Sequence, residues 1–178
     1  MSKIDYDLSL IKGVVFDVDG VLSPCLVPMD ADGIPQRMVN IHDGYALQLA
    51  VRKGLKLAIV SGATGEGLEK RFRNLGIADV YLRVGVKKDV FVDWMGANGF
   101  KPEEVAFVGD DVPDSECIDI AGLSVAPADA SADILEKARY ISPACGGHGV
   151  ARDLLEEILR AQHKWPATDR AFGWNDNK

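Results

Sequence analysis

The chain has 178 residues, 47% of them apolar, and its 20 basic and 27 acidic side chains leave a net charge of −7. That suits one domain with one sizeable core, and the acidic balance excludes a nucleic-acid backbone as the main partner, because such binders carry basic surfaces. No apolar run reaches the roughly 20 residues of a membrane span, the first ten residues lack a signal peptide's basic-then-apolar order, and Cys25, Cys117 and Cys145 are spaced as free thiols of a reducing cytoplasm.

Short apolar runs alternate with helical patterns along the chain, the signature of a doubly wound, Rossmann-like parallel α/β sheet with helices on both faces. The runs predict strands at 13–16, 56–60, 79–81, 105–108, 123–125 and 140–141, and helices at 44–53, 67–75, 89–98, 114–120, 132–137 and 150–162. The first strand, Val14-Val15-Phe16, runs into Asp17-Val18-Asp19-Gly20. Side chains alternate along an extended strand, so Asp17 and Asp19 leave its carboxyl end pointing the same way. In an open α/β sheet that end is where ligands bind. Two carboxylates there can seat a divalent cation, and one can attack a phosphorus atom. An acidic turn without function would use the same residue types.

Residues 23–40 break the rhythm with Pro24, Pro28, Asp32-Gly33 and Pro35, flanked by Leu26-Val27 and Met38-Val39. The pattern predicts a β-hairpin insert with Asp32-Gly33 at its tip, too short to form a cap domain. Further along, Ser61-Gly62 follows the second strand and offers a hydroxyl and backbone N–H groups to phosphate oxygens. Lys87-Lys88 opens a helix after Tyr81, and Gly109-Asp110-Asp111-Val112-Pro113-Asp114 follows the fourth strand, with Asp114 expected to cap the next helix. Each piece alone is an ordinary turn, cap or solvated surface. In this order, each at a strand's end, chance rarely produces the set. The domain is expected to span 1–162, followed by a C-terminal tail over 163–178 that carries Trp165, Phe172 and Trp174.

The order DxDGV, SG, Lys and GDDxxD resembles the haloacid dehalogenase superfamily of phosphatases. The insert, His42-Asp43-Gly44, Pro127-Ala128-Asp129-Ala130, Gly146-Gly147-His148-Gly149 and Ala171-Phe172-Gly173-Trp174 more closely resemble its capless 3-deoxy-D-manno-octulosonate 8-phosphate phosphatases. The resemblance implies that Asp17 is the nucleophile, forming an aspartyl-phosphate, and that Asp19 protonates the leaving sugar oxygen and then takes a proton from water. It implies Mg²⁺ on the Asp17 carboxylate, the Asp19 backbone carbonyl and Asp110, an oxygen-only site that suits this ion. Asp111 and Asp114 would orient waters or Lys87. Ser61 and Gly62 would hold phosphoryl oxygens, and Lys87 rather than Lys88 would offset the charges. Arg71, matched to a family arginine, would take the carboxylate of a phosphorylated sugar acid, and Asp43 matches a motif near the site. His42 and His148 are candidates to reach substrate hydroxyls.

Ala63 departs from the family pattern, in which many relatives carry arginine directly after the Ser/Thr-Gly turn and the phosphatase of a nine-carbon sugar-acid 9-phosphate carries glutamate. The resemblance also implies a cytoplasmic homotetramer in which hairpins meet and a neighbour completes each active site, giving Leu26-Val27 and Met38-Val39 a partner surface. The rival substrate is a KDN or N-acylneuraminate 9-phosphate, ahead of a broader range of small metabolites. From other classes come a catalytically silent oligomerisation module and a phospho-relay receiver domain. The four residues Asp17, Asp19, Lys87 and Asp110 argue against the silent module, and a second acid two residues after the nucleophile argues against the receiver.

Overall fold

The structure, a computed structural model, describes residues 2–165. In chain order its elements are β1 (Gly13–Phe16), α1 (Ile41–Arg52), β2 (Lys56–Val60), α2 (Glu66–Asn74), β3 (Asp79–Tyr81), α3 (Lys87–Asn98), β4 (Val105–Val108), α4 (Ser115–Ile120), β5 (Leu123–Ala126), α5 (Ala132–Lys137), β6 (Tyr140–Ile141) and α6 (Val150–Ala161). The six strands are parallel and lie in the order β3-β2-β1-β4-β5-β6. β1 and β4 are neighbours in space but not in sequence, so the winding direction reverses between them. At such a switch point the loops leaving the two strands diverge and open a crevice at their carboxyl ends.

Strand alternation divides the core. Val14, Phe16, Leu57, Ile59, Ala106 and Val108 pack on one face with α1 and α6, while Val15, Ala58, Val60, Val105 and Phe107 pack on the other with Phe91 and Trp94 of α3. In α6, Leu154, Leu155, Ile158 and Leu159 recur at helical spacing and are fully buried, so one apolar stripe docks the whole helix on the sheet. No cap domain is present among the described residues, and none of their helices is long and apolar enough to cross a membrane.

Every predicted strand and helix is found; five strands and α5 have the predicted ends, and the other elements shift by one to three residues. α1 starts three residues early because the Asn40 side chain accepts N–H bonds from His42 at 2.9 Å and Asp43 at 3.3 Å, satisfying donors the first turn leaves open. The expected hairpin over 23–40 is reduced to one antiparallel bridge, Met29 to Pro35. Its tip is where expected. Asp30 ties it, its carboxylate accepting from Asp32 and Ile34 N–H at 3.0 and 2.9 Å, and Gly33 turns at φ +78°. Three prolines deny the arms the N–H groups a ladder needs. Of the expected tail, residues 166–178 with Phe172 and Trp174 lie outside the described residues. Trp165 packs under the Arg152 guanidinium, 4.4 Å from the ring centroid, and edge-on to Tyr45.

Candidate active site

The first turn after β1 brings Asp17 to the switch point. Its N–H donates to Val108 O at 3.0 Å, extending the β1–β4 pairing by one residue and fixing the backbone. Its side chain is 8% exposed. Oδ2 meets Lys87 Nζ at 2.8 Å, and Lys87 Nζ also meets Asp114 Oδ1 at 2.7 Å. One ammonium at the start of α3 thus links the ends of β1 and β4. Lys88 instead pairs with Glu116 on the surface at 2.8 Å, so Lys87 is the lysine the fold brings to the cluster.

Asp114 occupies the N-cap position of α4 as expected, but its side chain makes no capping bond there. A short 3-10 turn over Val112–Asp114 comes first, and the Asp114 carboxylate reaches back to accept from Asp110 N at 3.2 Å. It therefore braces the loop that carries Asp110. Asp111 is exposed, so of these two acids only Asp114 touches Lys87. Oxygens of Asp17, Asp110 and Asp114 come within 4.8 Å of one another. Burial, then the charges of Asp17 and Asp114, push the Asp110 carboxyl up to about 7. Burial and the Asp17 charge push Asp114 up to about 6 against the pull of Lys87. Burial works to lower the Lys87 ammonium, but the Asp17 and Asp114 charges outweigh it and hold it raised.

Two observations bear on a divalent cation here. Asp17 Oδ1 is buried without a hydrogen-bond partner, and three crowded carboxylates have one ammonium between them. These hard oxygen donors fit Mg²⁺. Backbone closes tightly over the cluster. Gly20 turns at φ +80°, and a Cβ there would lie 1.9 Å from Asp110 Oδ2; a Cβ on Gly146 would lie 2.0 Å from Gly20 O. The two glycines are what the contact requires.

Asp19 lies beside the cluster, its side chain 43% exposed and held by Arg37. The loop after β2 sets Ser61 and Gly62. Ser61 is buried, its hydroxyl accepting from Ala63 N at 3.2 Å, and the exposed Gly62 N–H has no partner among the described residues. Ala63 points into the core at 5% exposure. The β3–α3 loop is stitched to this turn by Val84 N to Ser61 O and Arg83 N to Ala63 O, both 3.0 Å. Arg83 adopts φ 59° to do so, a conformation that strains a side chain. Arg83→Gly is expected to raise the unfolding midpoint by about 1–3 °C, read by thermal denaturation.

Asp43 and Arg71 come together elsewhere, in a cavity below the insert lined also by Val18, Leu22 and Ser23. Asp43 is 2% exposed, and its Oδ1 accepts from Arg152 N at 2.7 Å, joining the starts of α1 and α6. Its Oδ2 is buried without a partner, and burial pushes this carboxyl up to about 6 against the pull of the Arg152 N–H. A folded-state value above the unfolded one makes stability fall as pH rises from about 4 to 6. Asp43→Asn removes that cost and keeps the acceptor. The variant is expected to gain up to roughly 3 kcal/mol over the parent at pH 8 and little at pH 4, measured by denaturant titration. His42 and His148 are exposed and line a shallow surface cleft with Lys3 and Arg152.

Arg37 escaped the sequence reading, since nothing in Gln36-Arg37-Met38 sets it apart from a solvated loop.

Residues 84–154 match the family model of haloacid dehalogenase-like hydrolases. The chain is 36% identical over 154 residues to the 3-deoxy-D-manno-octulosonate 8-phosphate phosphatase of Salmonella typhi, covering 86% of this chain and 82% of that one. Among solved structures, the phosphatase of that name from Yersinia pestis superposes with a TM-score of 0.86 at 34% identity, covering 90% of this chain and 87% of that one. The one from Moraxella catarrhalis, in complex with magnesium, phosphate and 3-deoxy-D-manno-octulosonate (KDO), gives 0.85 at 28% identity, covering 90% and 92%.

Proposed function

The chain belongs to the family of 3-deoxy-D-manno-octulosonate 8-phosphate (KDO8P) phosphatases, and from that premise we propose that it hydrolyses KDO8P to KDO and phosphate with Mg²⁺ as cofactor. The observation that carries the reading is the Asp17–Lys87–Asp114 chain of ion pairs beside Asp110 at the β1/β4 switch point. It joins a buried carboxylate, a fixed positive charge and a cation-ready acid at one point.

In this reading an Asp17 carboxylate oxygen attacks phosphorus, and the bond from phosphorus to the sugar oxygen breaks. Asp19 donates the proton that lets the sugar alcohol leave. Water then attacks phosphorus, Asp19 takes the water's proton, and the aspartyl bond opens to free phosphate. Lys87 offsets charge on Asp17 and on the transferring group. The Gly62 N–H and the Ser61 hydroxyl hold phosphoryl oxygens. Mg²⁺ would be held by the Asp17 carboxylate, the Asp19 backbone carbonyl and Asp110, and when bound it would supply positive charge to offset the negative charge of the reacting groups. Arg71 and Asp43 are read as contacts to the sugar acid on the family resemblance alone, since the cavity they share below the insert is about 20 Å³ and holds no more than a water.

Homotetramer formation through residues 23–40 is part of the same reading. Leu26 at 87%, Met29 at 68% and Met38 at 54% exposure form the apolar surface that supports it. The exposed free thiols of Cys25 and Cys145 fit a cytoplasmic site of action. Steady-state phosphate release with Mg²⁺ tests the substrate, over KDO8P, KDN 9-phosphate, N-acetylneuraminate 9-phosphate and hexose phosphates. The expected kcat/KM for KDO8P exceeds the others by about tenfold or more. A higher value for a nine-carbon acid would reassign the substrate and leave the chemistry in place.

A further inference from the structure

We propose that Arg37 is a positioning residue for the Asp19 carboxylate, aiming the group that exchanges protons with the leaving oxygen and with water. The proposal rests on the acid–base reading of Asp19 given above. Residues 23–40 mostly turn their side chains to solvent, but the Arg37 side chain is turned inward and only 11% exposed. Its Nε donates to Asp19 Oδ1 and its Nη2 to Asp19 Oδ2, both at 2.7 Å. This is a two-bond fork onto one carboxylate. Its remaining nitrogen, Nη1, donates to Thr64 O at 3.3 Å, in the loop that begins with Ser61-Gly62. One guanidinium therefore spans the loop after β1, the loop after β2 and the insert.

The geometry decides what the contact is for. Asp19 is two-fifths exposed, and an ion pair that open to water contributes little to stability. A fork does something a point charge cannot, since it fixes the plane of the carboxylate as well as its position. Two rotatable bonds in Asp19 would otherwise let the carboxylate swing in the crevice, and a proton donor displaced by about 1 Å can cost on the order of 100-fold in rate. Lysine at this position would restore charge but reach one oxygen firmly, so the role is specific to arginine.

The full-length Mg²⁺-loaded enzyme tests this with KDO8P and p-nitrophenyl phosphate, using Arg37→Met, Arg37→Lys, Asp19→Asn and the Arg37→Met/Asp19→Asn double variant. Arg37→Met is expected to lower kcat on KDO8P by about 10- to 100-fold, with KM within twofold and an unchanged thermal midpoint. Arg37→Lys recovers part of the rate. The loss in kcat/KM is smaller on p-nitrophenyl phosphate, because nitrophenolate departs without a proton and kcat/KM reports only the steps through that departure. The double variant is no slower than Asp19→Asn, as expected when one residue acts through the other.

A normal kcat in Arg37→Met beside an inactive Asp19→Asn would overturn the role of Arg37 and leave the reading of Asp19 standing. So would a rise in KM alone, or additive losses in the double variant, since either makes Arg37 act apart from Asp19. Full activity in Asp19→Asn would remove the acid–base reading and the proposal with it.

Discussion

Asp17→Asn is expected to lower phosphate release from KDO8P by at least about 10⁴-fold while the chain stays folded. The backbone is fixed by the N–H bond to Val108 and the side chain by Lys87 at 2.8 Å, so an isosteric amide will occupy the same place. The neutral amide is a far weaker nucleophile than the carboxylate that attacks phosphorus in the proposed mechanism. It also removes one of three crowded carboxylates, which lightens the charge that raises Asp110 and Asp114. Loss of the Lys87 pair and relief of that crowding oppose each other, so the thermal midpoint without Mg²⁺ is expected to stay within a few degrees of the parent. Phosphate release, acid quench with labelled substrate and intact mass together decide the matter. The parent should trap a labelled protein and the variant should not, with mass excluding reversion by deamidation. A variant within tenfold of the parent would mean that water attacks the substrate directly.

Much of this site was legible because it follows local rules. β1 buries both faces, so its residues read as an apolar run, and the acids after it could only lie at its carboxyl end. Asp17 and Asp110 stand one and two residues past a strand, positions that pattern alone locates, whereas the choice of Lys87 over Lys88 rests on the family resemblance. What stayed hidden depends on contacts distant in sequence. Arg37 reaches Asp19 across 18 residues, from a loop whose composition has no periodicity. Asp114 looked like a helix cap because capping is local, yet it turns back to the Asp110 N–H and Lys87. Asp43 shows why a motif near a site need not point into the main cluster. Its carboxylate serves the start of α6, 109 residues away. The missing ladder over 23–40 has a local cause, the prolines, which the turn signals outweighed.

Lys87→Met is the second large effect, and it separates electrostatics from chemistry. The ammonium is buried between Asp17 and Asp114 at 2.8 and 2.7 Å, and methionine fills its volume without its charge. Breaking a buried ion pair from one side leaves the other charge uncompensated, which costs about 3–5 kcal/mol. For a chain of this size that lowers the melting point by on the order of 10 °C at pH 8 without Mg²⁺. The deficit then shrinks with acidity. Asp110 and Asp114 already sit near 7 and 6, and without the lysine they bind protons more tightly. The folded variant therefore takes up protons that the unfolded chain does not, and stability returns as pH falls through 7 toward 5. Added Mg²⁺ is expected to raise the variant's melting point more than the parent's, since a cation bound to the folded state supplies the missing charge. Phosphate release still falls by about 100-fold or more, because the transferring group loses its fixed positive partner. Asp114→Asn in the Lys87→Met background recovers part of the stability and none of the rate, as the two residues share one network. A deficit that does not change between pH 8 and pH 5.5 would refute the electrostatic account, because lost packing alone does not titrate.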